Sequence, residues 1–442
     1  VAEQDLPASD APNAISSSSY AVDGISTDAC VAGLAAATQL WEARGGDPQE
    51  GSVDVVHVAA AFESERHLLV DGVPPASPWG RIAGSYRARD GRWVQLHTNF
   101  EHHETAACSV LGVDPDRDAV AAAVADWDAE PLAEAVMAAD GIAAPTRSTE
   151  EWLALPQAKA MAGAPTVVAE PLGPGAGPEP LPSDPERPLG GVRVLDLTRV
   201  IAGPVATRML AAHRADVLRV SAPHLPEVDV LLPDTSVGKR STSLDLREPA
   251  DADAFAHLVA GADVVVRSYR PGSLDALGWS AERMAELRPG LVVVSISAYG
   301  HLGPWADRRG FDSIVQTGTG IVHGEMQAAH DLDHVRALPR QVLDHATGHL
   351  AAAAATRALR HRIEQGGGTH LRLSLLQTRQ WLERCGRRPL EPHDPLDVTP
   401  FLTTVASPQG EVTLVAPPMQ LEHTPARWQL GPQLPGSSPP AW

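Results

Sequence analysis

Cysteine is scarce in this chain: Cys30, Cys108 and Cys385 are far apart and form no C-x-x-C pair. That spacing excludes a disulfide framework and a cysteine-based zinc site, and it suits a reducing cytoplasm. No run of about 18 apolar residues occurs, so no segment reads as a membrane span. The opening residues, VAEQDLPASDAPNAISSSS, carry neither the basic nor the apolar region of a secretory signal. Positive charge is in deficit, with 35 Lys and Arg against 55 Asp and Glu and a formal charge of −20. Nucleic acid is therefore not an expected partner, because phosphate backbones are bound by net-basic surfaces. Any anionic ligand must be met by local cations working against the global field. A G-x-G-x-x-G loop is also missing after the first strand of the α/β segment, which removes the main support for a dinucleotide cofactor.

What is present describes an ordinary folded protein. With 442 residues, 43% hydrophobic and 20% charged, the chain can bury several cores, and two to three domains are expected. A Pro/Gly-rich stretch without apolar periodicity reads as an extended linker over residues 170–190. It separates an N-terminal part, residues 1–169, from a segment over residues 191–385. Residues 386–442 close the chain as a partial hairpin and a Pro-rich tail that begins at Pro417.

Residues 191–385 have a βαβ rhythm. VRVLDL (192–197) is a continuous apolar strand, and GPVATRMLAAHRA (203–215) is a helix opened by Gly-Pro. DVLRV, DVVVRS and LVVVSIS follow as short buried strands, with DADAFAHLVAGA and AERMAELR as helices between them. This alternation argues for a parallel sheet covered on both faces. ATGHLAAAAATRALRHRI, after Asp344, is a strong alanine-rich helix, and LRLSLL resumes as a strand beyond a glycine break.

The N-terminal part repeats the order of segments found at the end of the chain. Asp28 heads DACVAGLAAATQLWEAR and Asp344 heads DHATGHLAAAAATRALRHR. Each is followed by Gly-rich residues, a strand, a helix and a hairpin with a turn glycine, Gly91 or Gly410. The interval from aspartate to turn glycine is 63 residues in one copy and 66 in the other.

Asp344 can be read in two ways from its own surroundings. An Asp before an Ala-rich helix serves as an N-cap, with a stabilisation of about 1 kcal/mol. The same helix end stabilises a carboxylate anion and a developing oxyanion, which suits a nucleophile. The upstream motifs tip the balance. DLTRVIAGP, GKRSTSLDL, RSYRPGSLDALGW, SAYG and VLDHATGH, in this order, resemble the family III CoA-transferases, typified by formyl-CoA and carnitine CoA-transferases. The resemblance is best from Gly191 to Leu375 and weaker from Asp28 to Met161. It implies an α/β fold: a large domain with a Rossmann-like parallel sheet, and a smaller α+β domain. It also implies a nucleophile at Asp344 and a coenzyme A cradle from Arg199, Val200, Lys239, Arg240, Tyr269, Arg270 and Tyr299. Acyl-CoA and a carboxylic acid are then substrates, no cofactor is permanently bound, and a homodimer is expected, since family members interlock in pairs. Relative to the family, the order of segments is rearranged, as if a C-terminal piece preceded an N-terminal one.

Two details depart from that pattern: Ser221 ends a strand where the family often has an acidic residue, and Ser268 stands where Asn is common. Racemases of the same superfamily carry a histidine at the position of Phe311, which cannot exchange a proton, so a 2-methylacyl-CoA racemase is the disfavoured alternative. A non-catalytic CoA-binding homologue is the other rival, opposed by the intact Asp344. Asp312 reads as a cap or turn residue. Asp28 reads as a helix cap rather than a second nucleophile, and His102 and His103 as the start of a helix or part of the small domain's lining. His345 and His349, four apart, lack the third ligand a metal needs, so no metal is expected.

Overall fold

The computed structural model describes residues 6–173, 175–182 and 186–442. Its centre is a seven-stranded sheet formed by β1 (Val168–Leu172), β2 (Arg193–Leu197), β3 (Asp216–Ser221), β4 (Lys239–Ser243), β5 (Val264–Arg267), β6 (Val292–Ser297) and β7 (Gly368–Ser374). The spatial order is β1-β7-β6-β5-β2-β3-β4. All neighbours are parallel except β1, which runs antiparallel to β7. The expected α/β fold with a mostly parallel sheet is thus present.

The central strands form where the chain is a run of β-branched residues. Val264, Val265 and Val266 pair in register with Val292, Val293 and Val294, and all six are buried. Burial on both faces is why these strands show no alternation of polar and apolar residues.

The expected linker is corrected at its start. Glu170, Pro171 and Leu172 belong to β1 and pair with His370, Thr369 and Gly368. Pro171 cannot donate to a ladder, which confines such a strand to a sheet edge, and β1 lies there. Only one flank needs pairing, so a proline-bearing segment that reads as linker can still close the sheet.

Four helices carry the site: α1 (Val22–Ala43), α2 (Glu101–Leu111), α3 (Ala202–Ala212) and α4 (Val342–Gln365). The alanine run Ala351–Ala355 of α4 is buried on every side, packed against α1 and α3. Small side chains permit that close approach, and it is closest at Gly348. A Cβ there would lie 2.5 Å from the Ala202 carbonyl oxygen and 2.8 Å from Val205 Cβ. Asp28 lies inside α1, whose first residue is Val22, so it is not the cap the sequence suggested.

Around the central sheet lie smaller ones. The hairpin Gly84–Arg87/Trp93–Leu96 and the strand Ala143–Pro145 pack with α2 and two neighbouring helices around Ile82, Tyr86, Val94 and Leu132. The second expected hairpin, Leu402–Ser407/Gly410–Val415, also forms, and Leu69–Val70 adds to it. Gly51–Val53 pairs with Met419–Leu421. Residues from the two ends of the chain therefore share sheets. Among the described residues no helix is long and apolar enough to cross a membrane.

Candidate active site

With the antiparallel edge set aside, the strands read β4-β3-β2-β5-β6-β7, a doubly wound order that reverses direction between β2 and β5. Ligands of such sheets bind beyond the carboxyl ends of the strands at this switch point. The loops leaving β2 and β5 supply Arg199, Val200 and Ile201 on one side, and Ser268, Tyr269 and Arg270 on the other. These line a cavity of about 420 Å³ that also reaches Asp344 and Phe100, His102 and His103 at the start of α2.

The cavity concentrates positive charge in an acidic protein. Arg199, Arg270, Arg308 and Arg309 all line it. Arg308 and Arg309 are committed to Glu134 and Asp140. Arg199 donates to the Pro226 carbonyl at 2.7 Å, and its guanidinium sits 5.5 Å from both the Phe100 and Tyr269 rings. Among the described residues neither Arg199 nor the exposed Arg270 has a carboxylate partner, so their charge is available to an anion.

Asp344 is the third residue of α4 rather than its cap; Gln341 precedes the helix, without a side-chain cap bond. The backbone N–H of Asp344 donates at 2.9 Å to Asp312, whose carboxylate is fully buried. Asp312, expected to be a cap or turn residue, is the first residue of its own short helix and accepts this N–H from the start of α4 instead. Asp344 is itself only 7% exposed, and its carboxylate makes no hydrogen bond among the described residues. Burial, then the charges of Asp312 and Glu65, push its pKa well above the usual carboxylate range. Burial likewise raises Asp312 to about 6, against the N–H groups that it accepts.

A second cavity, about 380 Å³, meets the first at Val200, Ile201, Phe311 and Asp344, which line both. Val200 holds φ at 69°, a left-handed conformation costly for a β-branched residue and found at sites that over-determine the backbone. Phe311 stacks on His97, with ring centroids 3.8 Å apart, and burial lowers the His97 pKa to about 3. A smaller pocket of about 240 Å³, lined by Leu197, Val220, Leu244 and Leu274, adjoins the first through Tyr269 and Arg270.

The structure gathers Asp344, Arg199, Val200, Tyr269 and Arg270 around one cavity. It does not bring the other three expected residues there. Lys239 is fully buried, 2.8 Å from Asp196 and 3.0 Å from the Pro204 carbonyl, so its ammonium is spent inside the protein. Burial lowers its pKa to about 8 despite the Asp196 charge. Arg240 pairs with Asp216 at 2.9 Å and donates to the Ala441 carbonyl, on the far side of the strand. Tyr299 is buried with its ring 5.0 Å from Trp305. His345 lies 3.3 Å from Glu65, and His349 stacks on Phe62; among the described residues no His, Cys, Asp or Glu cluster has metal-site geometry. Sequence reasoning missed Glu65, Phe100, Arg308 and Arg309. The pair Arg308-Arg309, directly before Gly310-Phe311, was the available signal.

A locally cationic cavity at the switch point, walled by a buried carboxylate that makes no hydrogen bond among the described residues, marks an α/β protein that binds its ligand beyond the carboxyl ends of the strands. Residues 189–385, a little under half of the chain, match CoA-transferase family III. The chain is similar to acetyl-coenzyme A transferase nodX of Hypoxylon pulicicidum, with 36% identity over 46% of this chain and 35% of the relative. It is also similar to succinate–glutarate CoA-transferase of Agrobacterium fabrum, with 34% identity over 43% of this chain and 51% of the relative. The chain thus spans about half or less of the length of these curated relatives. A CAIB/BAIF family protein of Brucella suis, known from its crystal structure, is 26% identical over 51% of this chain and 65% of that chain, at a TM-score of 0.40.

Proposed function

We propose that this protein moves coenzyme A from an acyl-CoA donor to a carboxylic acid acceptor, with Asp344 as the covalent nucleophile. One observation carries the reading: the carboxylate of Asp344, without a hydrogen bond among the described residues, stands buried in the wall shared by two cavities. Burial matters because an anhydride or thioester at that carboxylate would otherwise hydrolyse.

An oxygen of ionised Asp344 attacks the donor thioester carbonyl, the C–S bond breaks, and CoA leaves as thiolate with an aspartyl–acyl anhydride behind it. The thiolate then attacks the aspartyl carbonyl. The anhydride C–O bond on the aspartyl side breaks, the donor acid departs as carboxylate, and aspartyl-CoA remains. An acceptor carboxylate attacks that thioester and expels the thiolate to form the second anhydride. The thiolate attacks the acceptor's carbonyl, which releases the new acyl-CoA and regenerates Asp344. First-turn N–H groups of α3 at Ala202 and Gly203, which lack intrahelical acceptors, are available to the oxyanions.

Arg199 and Arg270 would meet the CoA phosphates, and Val200 and Tyr269 the pantetheine and nucleoside. The apolar pocket beside Tyr269 suits an adenine ring. The racemase alternative loses support at the second cavity. Phe311 has no exchangeable proton, and His97 beside it, with a pKa of about 3, is too weak a base to take an α-hydrogen.

The test is chemical trapping. Incubation with acyl-CoA and hydroxylamine, or reduction of the thioester with borohydride, followed by peptide mass spectrometry, is expected to mark Asp344 alone. Asp344→Ala abolishes the mark; a mark on another residue overturns the assignment. Incubation of a chiral 2-methylacyl-CoA in deuterated water should leave its α-hydrogen in place.

A further inference from the structure

The two cavities that meet at Asp344 differ in what they can hold. The first gathers four arginines and suits phosphates. In the second, Leu68, Pro75, Pro78, Trp79, Val230 and Leu231 supply apolar walls, beside the polar side chains of Ser77, His97, Asn99 and Gln341. Its one cation among the described residues is Arg66, whose side chain is 61% exposed at the rim and faces Glu63 at 3.6 Å. Its anions, by contrast, lie inside. Glu65 has 11% of its side chain exposed. Burial alone would raise its pKa, but the hydrogen bond and charge of His345 outweigh that and hold it low. His97 adds no positive charge, being neutral at ordinary pH.

We infer that the second cavity receives the acyl chain, and that the preferred chain is apolar: an aliphatic or aryl monocarboxylic acid rather than a dicarboxylic one. This rests on Asp344 as the acyl-bearing nucleophile. The acyl carbon must bond to an Asp344 oxygen, so the rest of the acyl group extends into whichever cavity CoA leaves free. CoA is drawn to the cationic cavity, which leaves the apolar one. A second carboxylate on the acyl chain would be desolvated beside Glu65, with no lysine or arginine on the inner lining among the described residues and with His345 already engaged by Glu65. At 380 Å³ the space falls within the roughly 300–1,000 Å³ typical of small-molecule sites. The loop of residues 74–79, mostly exposed, contributes to its lining.

The experiment compares octanoyl-, phenylacetyl- and succinyl-CoA as donors, with acetyl-CoA as the short-chain reference, read both as thiol release and as label on Asp344. The apolar donors are expected to exceed succinyl-CoA in kcat/KM by about tenfold or more, the scale on which buried contacts discriminate. Ala76→Trp, on the exposed loop, is expected to lower the octanoyl-to-acetyl ratio of kcat/KM by about tenfold. Succinyl-CoA reacting as well as the apolar donors overturns the inference, and so does an unchanged ratio in Ala76→Trp. A failure of every donor to label Asp344 has a different meaning: it overturns the nucleophile itself.

Discussion

The backbone N–H of Asp344 donates at 2.9 Å to the carboxylate of Asp312, so the helix that presents the nucleophile is capped by a second buried acid. That arrangement brings two like charges together out of water. Burial favours protonation of both, and the charge of Asp312 favours it further at Asp344, which fixes how the site responds to pH.

Attack on a thioester requires the Asp344 anion. Its pKa is raised, so acylation is expected to climb with pH well above the ordinary carboxylate range. Asp312→Asn keeps an oxygen acceptor for the Asp344 N–H but removes the neighbouring charge, and should move the climb to lower pH. Single-turnover thiol release as a function of pH measures both.

The same repulsion has a stability signature. A carboxyl whose folded pKa exceeds its unfolded value, 3.8 for aspartate, destabilises the fold as pH rises from that value through the folded pKa. Asp344→Asn lacks this loss. The variant is expected to be more stable than the parent by about 1 kcal/mol at pH 8, with the difference vanishing near pH 3. Urea unfolding at the two pH values reads it.

Lys239 and Arg270 separate structure from binding. Lys239→Met leaves Asp196 buried without its cation and is expected to cost about 3–5 kcal/mol of stability. Arg270→Gln touches no ion pair among the described residues; it should leave Tm unchanged and raise the KM for acyl-CoA about tenfold, as loss of a charge-assisted contact does. Thermal denaturation and steady-state kinetics distinguish the two.

Gly348 lies one turn beyond Asp344, where α4 touches the Ala202 carbonyl. Gly348→Ala introduces a Cβ 2.5 Å from that oxygen and is expected to cost about 1–3 kcal/mol by overpacking. Because the shift propagates along α4 to the nucleophile, kcat should fall more than KM rises.

The sheet was legible because its central strands are uninterrupted valine runs, which few other environments favour. Asp344 was legible because its motif follows the strand motifs in a fixed order. Lys239 was misread for a physical reason: in sequence, a lysine at a strand start looks alike whether it meets a phosphate or a buried aspartate. Only the fold reveals Asp196 beneath it. Glu170–Leu172 was misread because proline and glycine around it hide an edge strand that needs one partner only. Glu65 and Phe100 were invisible because they reach the cavities from far along the chain, on elements with no motif of their own.

The central claim is that the Asp344 carboxylate exchanges an oxygen with the acceptor acid through a shared anhydride. An acceptor carboxylate bearing heavy-isotope oxygen, turned over once with acyl-CoA, tests it directly through the mass of the peptide that contains Asp344. One heavy oxygen in that side chain is the predicted result. A peptide of unchanged mass, alongside formation of the new acyl-CoA, would contradict the account.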